Sequence, residues 1–206
     1  MPLASTLTDV ANLSLASIGE VLIENIDDQT EVSRAINRVL YESIRQTQLE
    51  IFWEDLIEVF EPTQLTETYP GSDVLFQYNM PTTFLDVIKL KSGADWFLSG
   101  GKLVTEDPAP VVTYKRYSED PSEWSGYLIE LVYRRVAANV AMPLTQNPQI
   151  TQMAAQTYQE TMMKNLTRST NRSRKNSFRT QGFGNIRSRL YGRGGYGQLA
   201  GGRRSL

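Results

Sequence analysis

Near the start of the chain, apolar residues recur at the three-to-four spacing of a helix. Leu7, Val10, Ala11, Leu15 and Ile18, with Gly19 after the last turn, predict a helix over about residues 6–18. A longer stripe follows. Val32, Ala35, Ile36, Val39, Leu40, Ser43, Ile44 and Ile51 share one face, while Arg34, Arg38, Glu42 and Arg45 occupy the others. Asp28, with Glu31 three residues on, reads as a capping box, so the second helix is expected over about residues 29–52. Two such stripes are expected to pack together as an antiparallel pair.

Between Leu56 and Tyr117 the period changes. Short alternating or β-branched runs at residues 56–60, 83–90, 96–98, 102–105 and 111–117 are broken by turn residues. Ser99-Gly100-Gly101 between two of them is a hairpin turn. These runs predict a small antiparallel sheet over about residues 56–117, inserted between helices. Helical spacing then returns. Asp120-Pro121 marks a start, and Trp124, Tyr127, Leu128, Leu131, Val132 and Val136 make a stripe over about residues 121–141. Asn147-Pro148 opens a fourth helix, about residues 148–166, lined by Ile150, Met153, Ala154, Thr157, Tyr158, Met162 and Leu166. Its other faces carry Gln, Thr and Asn, and a helix so polar needs partners along its length. The fold class expected from these elements is mainly α. It is an antiparallel bundle of about four helices with a small inserted antiparallel sheet, giving a body over residues 1–166 and an extended basic C-terminal tail over residues 167–206.

Charge sharpens that division. All 23 acids fall within residues 1–163, where they face 10 Lys/Arg, a formal charge of −13. Residues 164–206 hold the remaining 11 Lys/Arg and no acid, a formal charge of +11. An acidic body repels nucleic acid and other acidic surfaces, whereas a basic tail seeks them. The tail is otherwise Ser, Asn and Gly with isolated aromatics, too little apolar surface to offset its ordering entropy. It is therefore expected to take up structure only against a partner. The residues that such a partner would hold are Lys164, Arg168, Arg172, Arg174, Lys175, Arg179, Arg187, Arg189, Arg193, Arg203 and Arg204 as charge-assisted anchors. Phe178, Phe183, Tyr191 and Tyr196 are the apolar ones. Arg interleaved with aromatics suits phosphates and stacked bases, and it suits acidic clefts between protein subunits equally well.

Groups that carry chemistry are sparse. The chain has no cysteine, which excludes disulfides and thiolate metal sites, and no histidine, the commonest metal ligand and general base. No P-loop, nucleophile elbow or zinc-protease motif occurs. The Gly-rich run Gly192–Gly197 has no strand before it and no helix after it. Glu54, Asp55, Glu58 and Glu61 cluster near a predicted strand, where Glu54 and Glu58 would be the pair of a carbohydrate hydrolase or, more simply, solvated residues. Trp53, Trp96 and Trp124 sit among apolar neighbours, which places them in a core or an interface. No catalytic residue, cofactor or metal site is expected, so the chain is not expected to be an enzyme. No run of eighteen apolar residues occurs, and Met1-Pro2-Leu3-Ala4-Ser5 lacks the features of a secretory signal, which points to synthesis inside the cell.

Several stretches, taken in order, resemble the adaptor proteins of short-tailed bacteriophages, the tail tubular A or gatekeeper family. Val10 to Glu20, with Leu15-Ala16-Ser17-Ile18-Gly19-Glu20, is similar to the family's opening helix, and the second helix closing on Ile51-Phe52-Trp53 is similar too. Tyr78-Asn79-Met80-Pro81-Thr82-Thr83-Phe84-Leu85 resembles a Tyr–x–x–Pro–x–Asp–Phe–Leu pattern, with Thr83 in place of the acid, so a role for that acid does not transfer. Gly100 to Thr105 and Val112-Thr113-Tyr114 look like the family's hairpin and following strand, and Asp120 to Ala141 like its third helix. The resemblance covers residues 7–165 and leaves out the tail. It implies a structural subunit that forms a ring, twelve copies in the family, between the portal protein and the tail nozzle (tail tubular protein B). Tail fibres would attach at the rim and genomic DNA would pass through the channel, placing the chain in the virion after synthesis in the host cytoplasm. A nucleic-acid-binding module that uses the basic tail is the alternative from composition alone.

Overall fold

The computed structural model describes residues 4–70, 72 and 75–175, with the side chains of residues 67, 68 and 170–175 outside that description. Contacts divide the chain into Met1–Thr170 and Asn171–Leu206, and of the second unit only the backbone of residues 171–175 is described. The expected tail from residue 176 onward lies outside the described residues.

Helix α1, Leu7–Ile18, is fixed at both ends by local chemistry. Thr6 accepts from the Asp9 N–H at 3.1 Å while the Asp9 carboxylate accepts from the Thr6 N–H at 3.0 Å, a reciprocal capping box. Gly19 ends the helix with a φ of 76°, a left-handed turn that costs glycine nothing. Helix α2, Glu31–Glu50, starts from Thr30, whose hydroxyl accepts from Ser33. Asp28 is therefore not the cap. Its carboxylate accepts from the Asn25 N–H inside the preceding loop instead. That loop is held down by Asn12, which bonds both backbone groups of Ile23, and by Asn37, which donates to the Ile26 carbonyl.

Asp120 caps only a short 3-10 turn, Pro121–Glu123, and helix α3 begins at Gly126, runs through Pro143 and ends at Thr145. Helix α4 spans Pro148–Lys175, nine residues past the expected end near 166. α3 is the central helix and packs on both α1 and α2. Val10, Leu15, Ile36, Leu40, Ile44, Leu128, Leu131, Val132 and Val136 meet there with no exposed surface. Burying each such side chain is worth about 1.5–3 kcal/mol, which is where the helical part of the body gets its stability.

The expectation of a mainly α bundle with a small inserted sheet is overturned. Among the described residues, the middle of the chain forms seven strands in two antiparallel sheets. β1 (Ile57–Phe60), β7 (Val112–Arg116) and β4 (Phe84–Leu90) make one, in the order β1-β7-β4. β2 (Gln64–Thr68), β3 (Phe76–Asn79), β6 (Lys102–Thr105) and β5 (Trp96–Ser99) make the other, in the order β2-β3-β6-β5. The sheets share a core of their own, Tyr78, Val87, Leu90, Leu103, Val112 and Tyr114, with Phe60, Phe76, Phe84 and Trp96 packed against it. β2 and β3 are the strands the hydrophobic pattern does not disclose. β2 is mostly polar and its register against β3 slips between Gln64 and Thr68, while β3 is only four residues long.

Among the described residues, polar contacts join the two cores around Gln48 and Ser118. Gln48, near the end of α2 and 1% exposed, donates to the Ser118 carbonyl at 2.7 Å and accepts from the Ser118 N–H at 3.1 Å. Beside it Lys115 of β7 donates to the Leu49 carbonyl at 2.8 Å, and burial pulls that ammonium below the usual lysine range. Arg116 then bridges Glu58 of β1, 2.9 Å away, and Glu123 of the 3-10 turn, 2.8 Å away.

Candidate partner-binding surfaces

Helix α4 carries the first of the basic residues that the charge pattern singles out. It runs antiparallel to α3 and is held by three rungs. Thr151 meets Met142, Tyr158 lies under the Arg135 guanidinium at 5.6 Å, and the Arg168 guanidinium covers the Tyr127 ring at 4.0 Å. Arg135 also grips Glu50 of α2 through two bonds of 2.8 and 3.0 Å, so the middle rung ties three helices. The apolar face of α4 is only partly covered. Ile150, Ala154, Tyr158, Met162 and Leu166 pack against the helical core yet stay half-buried, and Met153 and Met163 are exposed. Thr161 and Asn165, the buried polar residues of α4, bond back to its own carbonyls.

Of the residues expected to hold a partner, Lys164 and Arg168 are placed with their side chains, both exposed on α4. Arg172, Arg174 and Lys175 lie on the final turns of α4, and their side chains are outside the description. Phe178, Arg179, Phe183, Arg187, Arg189, Tyr191, Arg193, Tyr196, Arg203 and Arg204 lie outside the described residues.

Glu58, of the carboxylate cluster, belongs to a structural joint. Both Glu58 oxygens are engaged, one by Arg116 and the other by the Tyr114 hydroxyl at 2.7 Å. Hydrogen bonds from Ser118, then Arg116, hold the neighbouring Glu123 below the ordinary carboxylate range. Trp53 and Trp124 are buried in the helical core, Trp53 donating to the Thr47 carbonyl, and Trp96 packs on the sheet core. Among the described residues no group of three or more acidic, His or Cys side chains is placed to hold a metal, and no helix is long and apolar enough to cross a membrane.

A second surface has no counterpart in the charge pattern. β5 is an outer strand, and Phe97 and Leu98 on it are each 41% exposed. Tyr69 packs edge-on against Phe97 with ring centroids 5.3 Å apart. The chain matches no protein-family model and no curated protein.

Proposed function

We propose that this chain is a ring-forming structural subunit, an adaptor of the kind that joins the portal of a short-tailed phage to its tail nozzle. The observation that carries the reading is the ordered series of family-like segments. They fall where the architecture is set: the left-handed Gly19 after α1, Trp53 turned back onto α2, and the Pro81 turn closed by a bond from the Phe84 N–H. The series goes on through the Gly100-Gly101 hairpin and the central helix α3. The charge division adds to it. A body of −13 does not arrest a passing duplex, and a basic arm that starts on exposed positions of α4 suits an acidic partner face. The ring of twelve, the nozzle, the fibres and the DNA channel come with that family reading.

The test is mixing the full-length protein with rings of its portal and measuring the mass of the complex. Binding is expected at low salt, and replacing Arg187, Arg189 and Arg193 by Gln is expected to weaken it at least tenfold. Unchanged affinity for that variant rejects the docking role of the arm, and no complex with the wild type rejects the adaptor reading. Tight, steeply salt-dependent binding of the isolated protein to duplex DNA favours the nucleic-acid module instead.

A further inference from the structure

The loop between α1 and α2 holds two apolar side chains out in water. Val21 and Leu22 are 76% and 57% exposed, more than any other adjacent apolar pair among the described residues. The loop is held in this form. Ile23 and Ile26 are buried, Asn12 bonds both backbone groups of Ile23, and Asn37 donates to the Ile26 carbonyl. Glu20 and Glu24 flank the exposed pair, Asp27 and Asp28 follow, and no Lys or Arg occurs before Arg34. Negative surroundings repel a phosphate backbone or an anionic membrane. The cover that fits is a cationic protein surface with apolar side chains of its own.

Such a surface stands at the other end of the same helices. Arg168 covers the exposed Tyr127 ring, and Met163 and Lys164, one turn earlier on α4, are exposed too. Arg134 and Arg135 of α3 are paired with carboxylates, whereas among the described residues Arg168 is held by the ring. A guanidinium already seated on a ring loses little freedom when it takes a carboxylate, and Arg, Tyr and Met are residues that interfaces favour. Glu160, one turn before Lys164, accepts from Gln156, and no acid follows it in the chain. The two patches are far apart within one molecule. α4 runs antiparallel to α3 through Met142–Thr151 and Tyr127–Arg168, and α2 does so through Asn139–Ser43 and Arg135–Glu50. The cationic patch is therefore level with the start of α3, and the loop that leads into α2 lies toward its far end. From Tyr127 to Thr145 is about 27 Å at 1.5 Å per residue. A pinned loop does not cross that length, so one chain cannot close the contact on itself.

We infer that two copies of this chain meet here: the Val21-Leu22 tip of one seats against Tyr127, Met163, Lys164 and Arg168 of the other, and Glu20 and Glu24 face the cations. Exposed apolar surface and charge of one sign coincide on each side, with the signs opposite, which is what selects a second copy as the cover. The contact does not rest on the adaptor reading, and it uses no residue beyond Arg168. Its charges lie on exposed surface, so salt weakens it.

The chain has no cysteine, which makes cross-linking clean. Full-length Leu22→Cys and Met163→Cys variants, both at exposed positions, are mixed at high concentration and low salt with a short bis-maleimide. A covalent dimer on a denaturing gel is expected from the mixture, and a monomer band from each variant alone. No dimer from the mixture overturns the inference, as does a dimer from Leu22→Cys alone, which would mean that the tip meets itself. Adding Glu20→Lys and Glu24→Lys to the Leu22→Cys chain should leave its far-ultraviolet circular dichroism unchanged and cut the dimer by at least about tenfold. An unchanged yield overturns the inference. Salt gives a second arm that needs no charge substitution: a dimer yield that does not fall as salt is raised toward about 1 M also counts against the contact. Failure of the full-length protein to bind portal rings removes the adaptor reading and leaves this contact standing.

Discussion

Gln48 tests whether the helical and sheet cores act as one subunit. Its amide spans 70 positions of sequence to satisfy both backbone groups of Ser118, itself 5% exposed. Gln48→Ala removes both partners and leaves a buried N–H and a buried C=O unpaired. Each orphaned group costs about 1–3 kcal/mol, so the joint is worth about 3 kcal/mol once partial relaxation is allowed. For a body of this size, 1 kcal/mol moves the melting temperature by about 2–4 °C, so Gln48→Ala should lower Tm by about 6–12 °C in a calorimetric scan.

Gln48→Glu separates this account from simple loss of packing. It preserves the shape and the acceptor for the Ser118 N–H, but it puts a carboxylate oxygen against the Ser118 carbonyl. Burial and that repulsion raise the introduced carboxyl's pKa above its unfolded value of about 4.3. A folded pKa above the unfolded one means the folded state binds more protons, so the loss of stability present at neutral pH shrinks as pH falls through the folded pKa. Denaturation at pH 7 and pH 4.5 should show Gln48→Glu recovering toward wild type at the lower pH, with Gln48→Ala showing no such recovery. A drop in Tm below 2 °C for Gln48→Ala, or pH-independent damage from Gln48→Glu, refutes the argument.

Two further expectations come from the same contacts. Leu131→Ala, in the fully buried face of α3, should cost about 2–5 kcal/mol in urea denaturation, the usual range for emptying a core leucine site. Glu123 and Asp9 both have folded pKa values below their unfolded ones, Glu123 through Ser118 first and Asp9 through the Ser5 backbone first. Their contribution is present above the unfolded values and is lost as pH falls through the folded ones, so stability should decline below about pH 4, with Glu123→Gln showing a flatter acid limb.

The helices were legible because their signals are local. The stripe of α1 and its Gly19 stop lie within thirteen residues, and the stripe of α2 repeats over five turns. The cap of α2 is Thr30 and not the expected Asp28, because the Asp28 carboxylate is engaged by the Asn25 N–H while the Thr30 hydroxyl accepts from Ser33. The second sheet was not legible for a different reason. β2 has no clean alternation, since a register slip takes away the period-two pattern, and a strand such as Phe76–Asn79 earns its place only by facing β6. The same holds for the surfaces. Arg168 was visible as charge, but its seat over Tyr127 depends on the α3–α4 register. The exposure of Phe97 and Leu98 depends on β5 being outermost, a property of topology that no window of sequence contains.

The apolar face of α4 is half-covered, Leu98 on the outer strand β5 is exposed, and residues 164–206 hold no acid to pair with their own cations. The Gln48 and Lys115 contacts, with Arg116 on Glu123, tie the three-stranded sheet to the helices, so the Gln48 variants should loosen both cores together and show one unfolding transition shifted as a whole.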